Sequence, residues 1–257
     1  MLTIEPIPAF NDNYIWLLSD PDSSAAFVVD PGEAAPVLAA LEARKLTLTG
    51  ILITHHHFDH TGGLEALSTA FNPTVFGPHN PAIKGVGERL AAGDRIEVLG
   101  EVFDVLEVPG HTLDHIAYFH PGANPLLFCG DTLFAGGCGR VFEGTAPMMH
   151  QSLQLLAALP AETRVYCAHE YTLANLAFAR AVEPDNAALA QRIRAAEASR
   201  ARDEPTVPSD LALELATNPF LRCKNPALRD SLQAQGKLSG DSADEIFAAV
   251  RGWKDHF

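Results

Sequence analysis

The feature that most constrains this chain is a cluster of histidines directly after a short apolar run. Four of its eleven histidines lie within residues 55–60, in the sequence THHHFDH that starts at Thr54. The residues before it, GILI at 50–53, have the composition of a buried strand. Several polar rings at the end of such a strand are costly to bury, whereas imidazole and carboxylate are good ligands for divalent metals. The cluster therefore predicts a metal site on a sheet-based scaffold rather than ordinary packed or surface histidines.

The spacing within the cluster distinguishes the expected metal ligands from the remaining histidine. Side chains alternate along an extended chain, so His55 and His57 are expected to point the same way and His56 elsewhere. Asp59 and His60 follow on a turn, where they can serve a second metal beside the first. His56 is accordingly interpreted as a neighbour of the site rather than a ligand.

The same arrangement recurs further along the chain. His111, Asp131 and His169 each stand just after a strand-like apolar run, and such positions can meet at one edge of a sheet. Together with the cluster they make five histidines and two aspartates, which suit two metals, with Asp131 able to bridge them through its two oxygens. Asp59 and Asp131 are placed in the catalytic centre as metal ligands, with a role as base or proton shuttle as the alternative.

The pattern of residue types along the chain changes near residue 172. Before it, short apolar runs alternate with glycine, proline and aspartate, which predicts strands, turns and a few helices. After it, alanine, leucine, arginine and glutamate recur at helical spacing, with a linker at 203–208 and a capping box from Ser242 to Glu245. We therefore expect a first domain at 1–172, which carries the candidate metal ligands, and an α-helical domain at 173–257; that the second domain binds substrate is what the family resemblance given below implies. Predicted strands span 14–18, 26–29, 48–53, 102–108, 126–129 and 164–167; predicted helices span 35–44, 63–70, 148–158, 173–181, 187–202, 209–216 and a last helix from Ser242 through Trp253.

Composition narrows the classes of function. The formal net charge of −14 argues against a nucleic-acid or acidic-membrane binder. The sequence lacks a membrane-spanning apolar run and a secretory signal pattern, so we expect a cytoplasmic protein. We also expect a monomer. The four cysteines are scattered without a CxxC pair, which favours reduced, buried thiols over disulfides.

At THHHFDH and at the later His111, Asp131 and His169, the chain resembles the metallo-β-lactamase superfamily. That resemblance implies an α/β fold, a four-layer αββα sandwich over about two-thirds of the chain, followed by the smaller helical domain. Further segments resemble the glyoxalase II family, also called hydroxyacylglutathione hydrolases. These segments are FNDNY at 10–14, FCGDTLF at 128–134, GCGR at 137–140, EGT at 143–145, VYCAHEY at 165–171 and NPF at 218–220.

The glyoxalase II resemblance also implies a reaction and a ligand partition. The reaction is hydrolysis of S-lactoylglutathione to D-lactate and glutathione, in methylglyoxal detoxification, through attack of a metal-bound hydroxide on the thioester. Zinc is the expected metal, and the family also accepts iron and manganese. The implied partition gives His55, His57 and His111 to one metal, Asp59, His60 and His169 to the other, and Asp131 to both.

Counterparts of the family's glutathione contacts are Arg140, Tyr171, Arg251 and Lys254. Glutathione carries two carboxylates, so cations belong in its site, and Arg251 and Lys254 share a helix face. Without the resemblance, that pair would be interpreted as a solvated helix end, and Tyr171 could equally be a packed aromatic or a contact residue. Phe142 stands where many relatives have a tyrosine that touches glutathione, so a hydrogen bond is expected to be missing there.

Several alternatives stay open on the sequence. Asp30, in VVDPG at 28–32, either supports the metal ligands from behind or serves a turn. A glutathione persulfide dioxygenase of the same fold, with a single iron, is the principal rival function. A nuclease is disfavoured by the acidic charge, and a di-iron electron-transfer or other metal-binding module by the lack of a flavin or thiol-rich partner segment.

Overall fold

The computed structural model describes residues 2–238 and 240–257. Contacts between Cα atoms divide the chain into two compact units, Met1–Glu107 with Asp114–Gly130, and Val108–Leu113 with Asp131–Phe257. The predicted domain boundary at 172/173 stays a prediction beside this division. Among the described residues, no helix combines the length and the apolar character that a membrane crossing requires.

The first unit contains a mixed sheet of six strands in the order β1-β2-β3-β4-β5-β6. The first three strands pair antiparallel, and β3 to β6 pair parallel. Four further strands pair antiparallel in the order β10-β9-β8-β7. The strands are β1 Thr3–Ala9, β2 Asn13–Ser19, β3 Ala25–Val29, β4 Thr47–Leu52, β5 Thr74–Pro78, β6 Glu88–Leu90, β7 Arg95–Val98, β8 Glu101–Glu107, β9 Ile116–His120 and β10 Leu126–Gly130; the helices are α1 Ala34–Arg44, α2 Phe58–Thr61 and α3 Leu64–Phe71.

The six-stranded sheet is buried by helices and by apolar side chains. Ile15 and Leu17 of β2 belong to one buried cluster with Leu41 of α1 and Leu67 of α3. All of β2 up to its last residue is buried, so both of its faces are covered. A strand covered on both sides has a continuous apolar sequence, and NYIWLL fits that pattern.

The parallel strands β3 and β4 bring two loops to one edge of the sheet. Asp30 follows β3, and the histidine cluster follows β4, so both lie beyond the carboxyl ends of neighbouring strands. The Asp30 amide donates to Leu52 O at 2.9 Å, which ties the two loops together. From β9, the buried Tyr118 hydroxyl donates to Ile53 O at 2.8 Å and fixes the residue just before Thr54.

The second unit is mainly helical. Strands β11 and β12 form a short hairpin, and β13 pairs antiparallel with β14. Helices α5 and α6 share a buried core that includes Leu176, Leu189 and Ile193. The elements are β11 Leu133–Phe134, β12 Gly137–Cys138, α4 Ala146–Ala157, β13 Arg164–Cys167, α5 Thr172–Val182, α6 Ala187–Arg200, β14 Ser209–Asp210, α7 Leu211–Thr217, a 3₁₀ helix Pro219–Leu221, α8 Pro226–Ala234 and α9 Ala243–Asp255.

Each predicted strand and helix lies on an observed element, and α9 opens with the predicted capping box at Ser242 and Glu245. One helix prediction was wrong at its start, because Ser209–Asp210 pairs with β13 as a strand and α7 begins at Leu211. Several elements were not predicted: strands β1, β5, β6, β7, β9, β11 and β12, and helix α8. Of these, β1 contains two prolines, a residue that is depleted in strands. Its place at the edge of the sheet, where a missing N–H is tolerated, explains why it forms.

Candidate metal centre

In the first unit, the histidine cluster folds into a compact group of nitrogen and oxygen ligands. His55 Nε2 and His57 Nδ1 are 3.1 Å apart, and His60 Nε2 lies 3.5 Å from Asp59 Oδ2. The His56 ring points elsewhere, where its Nδ1 meets Asp114 Oδ1 at 2.9 Å. The predicted turn is helix α2, which holds Asp59 and His60 in a single short helical turn. The side chains therefore alternate as predicted, with His55 and His57 on one side and His56 on the other.

Asp30 supports this group from behind. Its Oδ1 accepts the Thr54 amide at 2.8 Å, and its Oδ2 accepts the Thr54 hydroxyl at 2.7 Å. The same Oδ2 lies 3.0 Å from His60 Nδ1, which directs His60 Nε2 towards Asp59. The charge of Asp30 contributes, after burial, to raising the pKa of Tyr118. Of the two interpretations of Asp30, the structure favours support of the ligands.

Thr54 sets the tautomer of His55. Because the Thr54 hydroxyl donates to Asp30, it accepts from His55 Nδ1, 3.0 Å away. The proton then sits on Nδ1, and Nε2 carries the lone pair that a metal needs. Asp30 has a φ of 52°, a left-handed conformation that aspartate and asparagine adopt more readily than most residues other than glycine. This conformation belongs to the residue whose carboxylate meets both Thr54 and His60.

In the second unit, Asp131 lies between two histidines. Its Oδ2 is 3.5 Å from His111 Nε2, and its Oδ1 is 3.3 Å from His169 Nε2. All three side chains are buried. His111 Nδ1 donates to Arg140 O at 2.8 Å, so its Nε2 is again the nitrogen left for a metal. One carboxylate that offers a different oxygen to each of two histidines has the geometry of a bridging ligand.

Aromatic rings surround the histidines of the second unit. The Tyr171 ring stacks on His169 with centroids 4.7 Å apart and planes 5° apart, and Phe134 meets both rings edge-on. Phe142 meets His111 edge-on at 5.3 Å and is 63% exposed. Tyr171 and Phe134 therefore pack against His169, and exposed Phe142 leaves apolar surface beside His111.

The four basic and aromatic residues expected to contact glutathione differ in their surroundings. Arg140 is exposed, and Tyr171 is 38% exposed. Arg251 is only 5% exposed; its guanidinium donates to Cys138 O at 3.1 Å and to Asp255 Oδ1 at 2.8 Å. Lys254 is partly buried over the Phe178 ring, and burial, followed by the charge of Arg251, lowers its pKa.

Two further residues beside the ligands had no role assigned from the sequence. Asn13 donates from Nδ2 to Asp59 Oδ2 at 3.1 Å and so orients that carboxylate. His115 is 1% exposed and stacks on His55 with centroids 4.6 Å apart. Asn13 could have been found from the sequence, because it lies in the family segment FNDNY. No sequence pattern pointed to His115, because its contact with His55 joins positions 60 residues apart.

The donor set fits divalent metals. Candidate metal-holding side chains are His55, His57, Asp59 and His60 in the first unit and His111, Asp131 and His169 in the second. Four of the imidazoles present Nε2 beside another candidate ligand, and for three of them the other nitrogen is held by an oxygen. Imidazole and carboxylate donors supported in this way are typical of zinc, iron and manganese sites.

Comparison with known proteins agrees with this set of candidate metal ligands. A family model for the metallo-beta-lactamase superfamily matches residues 10–169, and a model for the hydroxyacylglutathione hydrolase C-terminus matches residues 170–257. The hydroxyacylglutathione hydrolase of Pseudomonas aeruginosa strain LESB58 is 55% identical over 258 residues, covering 100% of both chains. The crystal structure of ETHE1 from Myxococcus xanthus is 26% identical with a TM-score of 0.65, covering 99% of this chain and 98% of that one. The structure of TTHA1623 in a di-iron-bound form is 25% identical with a TM-score of 0.60, covering 84% of this chain and 100% of that one.

The fold and the ligand residues define a metallo-β-lactamase-fold protein, with α/β architecture and a helical C-terminal domain, as the sequence predicted. Its histidine and aspartate clusters suggest a dinuclear metal site. Within that superfamily, the chain belongs to the hydroxyacylglutathione hydrolase family.

Proposed function

We propose that this protein is a thioester hydrolase that converts S-(2-hydroxyacyl)glutathione to a 2-hydroxy acid and glutathione. The full-length likeness to hydroxyacylglutathione hydrolases supports this activity. The geometric observation that carries it is Asp131, whose two oxygens each face a different histidine. A carboxylate whose two oxygens lie beside different histidines can bind two metals at once, which supports the dinuclear site that the ligand clusters suggest.

The proposed ligand partition is the one that the family resemblance implies, and contacts within each unit support parts of it. His55 and His57 pair in the first unit, as do Asp59 and His60, and in the second unit Asp131 faces His111 and His169. We assign His55, His57 and His111 to one metal, Asp59, His60 and His169 to the other, and Asp131 to both, with zinc as the metal. When bound, the metals lower the pKa of water and polarise the thioester carbonyl.

The protein side chains then have supporting roles. Asp30, Thr54 and Asn13 hold the ligands in the orientation described above. Asp59 and Asp131 act as ligands, because a carboxylate beside cations is a weak base. The departing thiolate has an ordinary pKa near 8.5, so little help from a general acid is needed.

Glutathione recognition is assigned to Arg140, Tyr171, Arg251 and Lys254. Lys254 and exposed Arg140 offer positive charge to the two carboxylates of the tripeptide, in a chain whose net charge is −14. Arg251 already donates to Cys138 O and Asp255, so a carboxylate there would share its guanidinium. Phe142 offers an apolar ring and no hydroxyl, which predicts one fewer hydrogen bond to glutathione.

The test is hydrolysis of S-lactoylglutathione, measured together with metal content on one preparation. We expect turnover with two metal ions per chain, loss of turnover with a chelator and recovery when zinc is added. A persulfide dioxygenase would instead hold one iron per chain and consume oxygen with glutathione persulfide. Absence of thioester hydrolysis in metal-loaded protein would overturn the proposal. Monomeric state, cytoplasmic location and the 172/173 boundary stay predictions.

A further inference from the structure

Four buried side chains from the C-terminal part of the chain hold the hairpin between Asp131 and Arg140. Between Phe134 and Gly139, five backbone carbonyls and one backbone amide form hydrogen bonds with those side chains. The carbonyls of Phe134 and Gly137 accept from Asn218 Nδ2 at 3.2 and 2.9 Å. Ala135 O accepts from Asn175 Nδ2 at 3.2 Å.

The remaining groups of the hairpin meet two charged side chains. The Gly136 amide donates to Glu214 Oε2 at 2.9 Å, and Arg251 donates to Cys138 O and Gly139 O at 3.1 and 3.4 Å. We call Asn175, Glu214, Asn218 and Arg251 the anchoring set; each is at most 5% exposed. Glu214 is itself fixed by an ion pair with the buried Arg192. Buried networks of this kind are rigid when every member is satisfied.

The anchored hairpin touches two of the proposed metal ligands. Arg140 O, at its downstream end, accepts from His111 Nδ1 at 2.8 Å. At its upstream end, the Gly139 amide donates to Thr132 O at 3.2 Å. A Cβ at Gly139 would lie 1.9 Å from Asp131 O and 3.1 Å from His111 Nδ1, so the backbone passes directly against both ligands. Movement of the hairpin would therefore displace His111 and Asp131 together.

We propose that Asn218 and Glu214, with Asn175, are positioning residues for the metal centre, which they act on through the 134–140 segment. The C-terminal helices then have a second task besides binding substrate, since they fix the orientation of His111 and the placement of Asp131. This inference rests on the proposed function, because it takes those two residues as metal ligands. Outer-shell partners of ligands typically contribute about 10- to 100-fold to metal affinity.

The test is Asn218→Asp, which keeps the size of the side chain and its acceptance of the Phe220 amide. It removes both donations to the hairpin and also the donation to Glu214 Oε2 at 3.1 Å, so that two carboxylates then face each other within the anchoring set. Zinc affinity is measured by competition with a chromophoric chelator, and stability by thermal unfolding of the metal-free protein. We expect zinc affinity to fall about tenfold. The matched control is Asn186→Asp, which also keeps a helix-capping acceptor and loses a donation, here to Ala216 O. The control should leave zinc affinity unchanged.

Equal zinc affinities for the wild type and Asn218→Asp, with only the thermal midpoint lowered, would overturn the positioning role. If Asn218→Asp does not unfold cooperatively, Asn175→Ala decides the question, because it removes a single donation to the hairpin and should lower zinc affinity severalfold. Wild-type protein that holds no zinc would instead contradict the proposed function. The two failures are therefore distinguishable.

Discussion

At the scale of single residues, Asp131 is the side chain whose loss should matter most. Asparagine keeps its shape but replaces one oxygen with an amide nitrogen and removes the charge, so one of the two histidine-facing oxygens disappears. We expect Asp131→Asn to lose metal and nearly all turnover, as measured by elemental analysis and thioester hydrolysis. Asp104→Asn, at a surface ion pair with Arg95, is the control. Full metal content and activity in Asp131→Asn would contradict the bridging role.

Lys254 permits a second prediction at the residue scale. A cation that binds glutathione equally in the ground and transition states should affect KM rather than kcat. We expect Lys254→Ala to raise KM more than it lowers kcat in steady-state kinetics. Lys237→Ala is a matched control, since Lys254 and Lys237 each lie 5.2 Å from an aromatic ring centroid, of Phe178 and Trp253 respectively. An unchanged KM in Lys254→Ala would show that Lys254 does not contribute to glutathione binding.

At the scale of elements, the loop after β3 and the ligand turn α2 approach each other backbone to backbone. A Cβ at Gly32 would lie 1.9 Å from Asp59 O and 2.7 Å from the Phe10 ring. We expect Gly32→Ala to push α2 away, to lower the free energy of unfolding by about 1–3 kcal/mol and to reduce metal content. Denaturant unfolding and metal analysis measure these effects. Gly87→Ala is the control, because the atom nearest to its added Cβ would be 3.9 Å away. Equal free energies of unfolding and equal metal contents in the two variants would contradict this prediction.

At the scale of the whole molecule, the four cysteines are free and buried, as the sequence predicted. Burial raises the pKa of Cys138 to about 11 and those of Cys167 and Cys223 to about 12. Only the thiolate reacts, so a pKa of about 11 leaves about one thiolate in a thousand at pH 8.

We therefore expect a disulfide-exchange reagent at pH 8 to label almost none of the four thiols in the native protein and all four after unfolding in denaturant. Reactivity in the native state should rise as pH increases towards those pKa values, because the thiolate fraction then grows. Rapid labelling at pH 8 without loss of structure would contradict the burial of these side chains.

Local sequence determined some of the elements and the identity of the candidate ligands, whereas strands such as β5, β7 and β9 were not predicted from it. The continuous apolar run of β2, the helical spacing after residue 172 and the box at Ser242 and Glu245 each depend on neighbours in the chain. The alternation that separates His56 from His55 and His57 is a local property too.

The tertiary structure alone decided which groups stand behind those ligands. Asp30 meets Thr54 because parallel pairing of β3 and β4 puts two loops at one edge, and His115 stacks on His55 across 60 positions. Asn218 reaches the hairpin more than 80 positions earlier only because the chain folds back on itself. The spacing of apolar residues shows which side of a helix or strand is buried. It does not show which distant segments form hydrogen bonds, because these depend on how the folded chain packs.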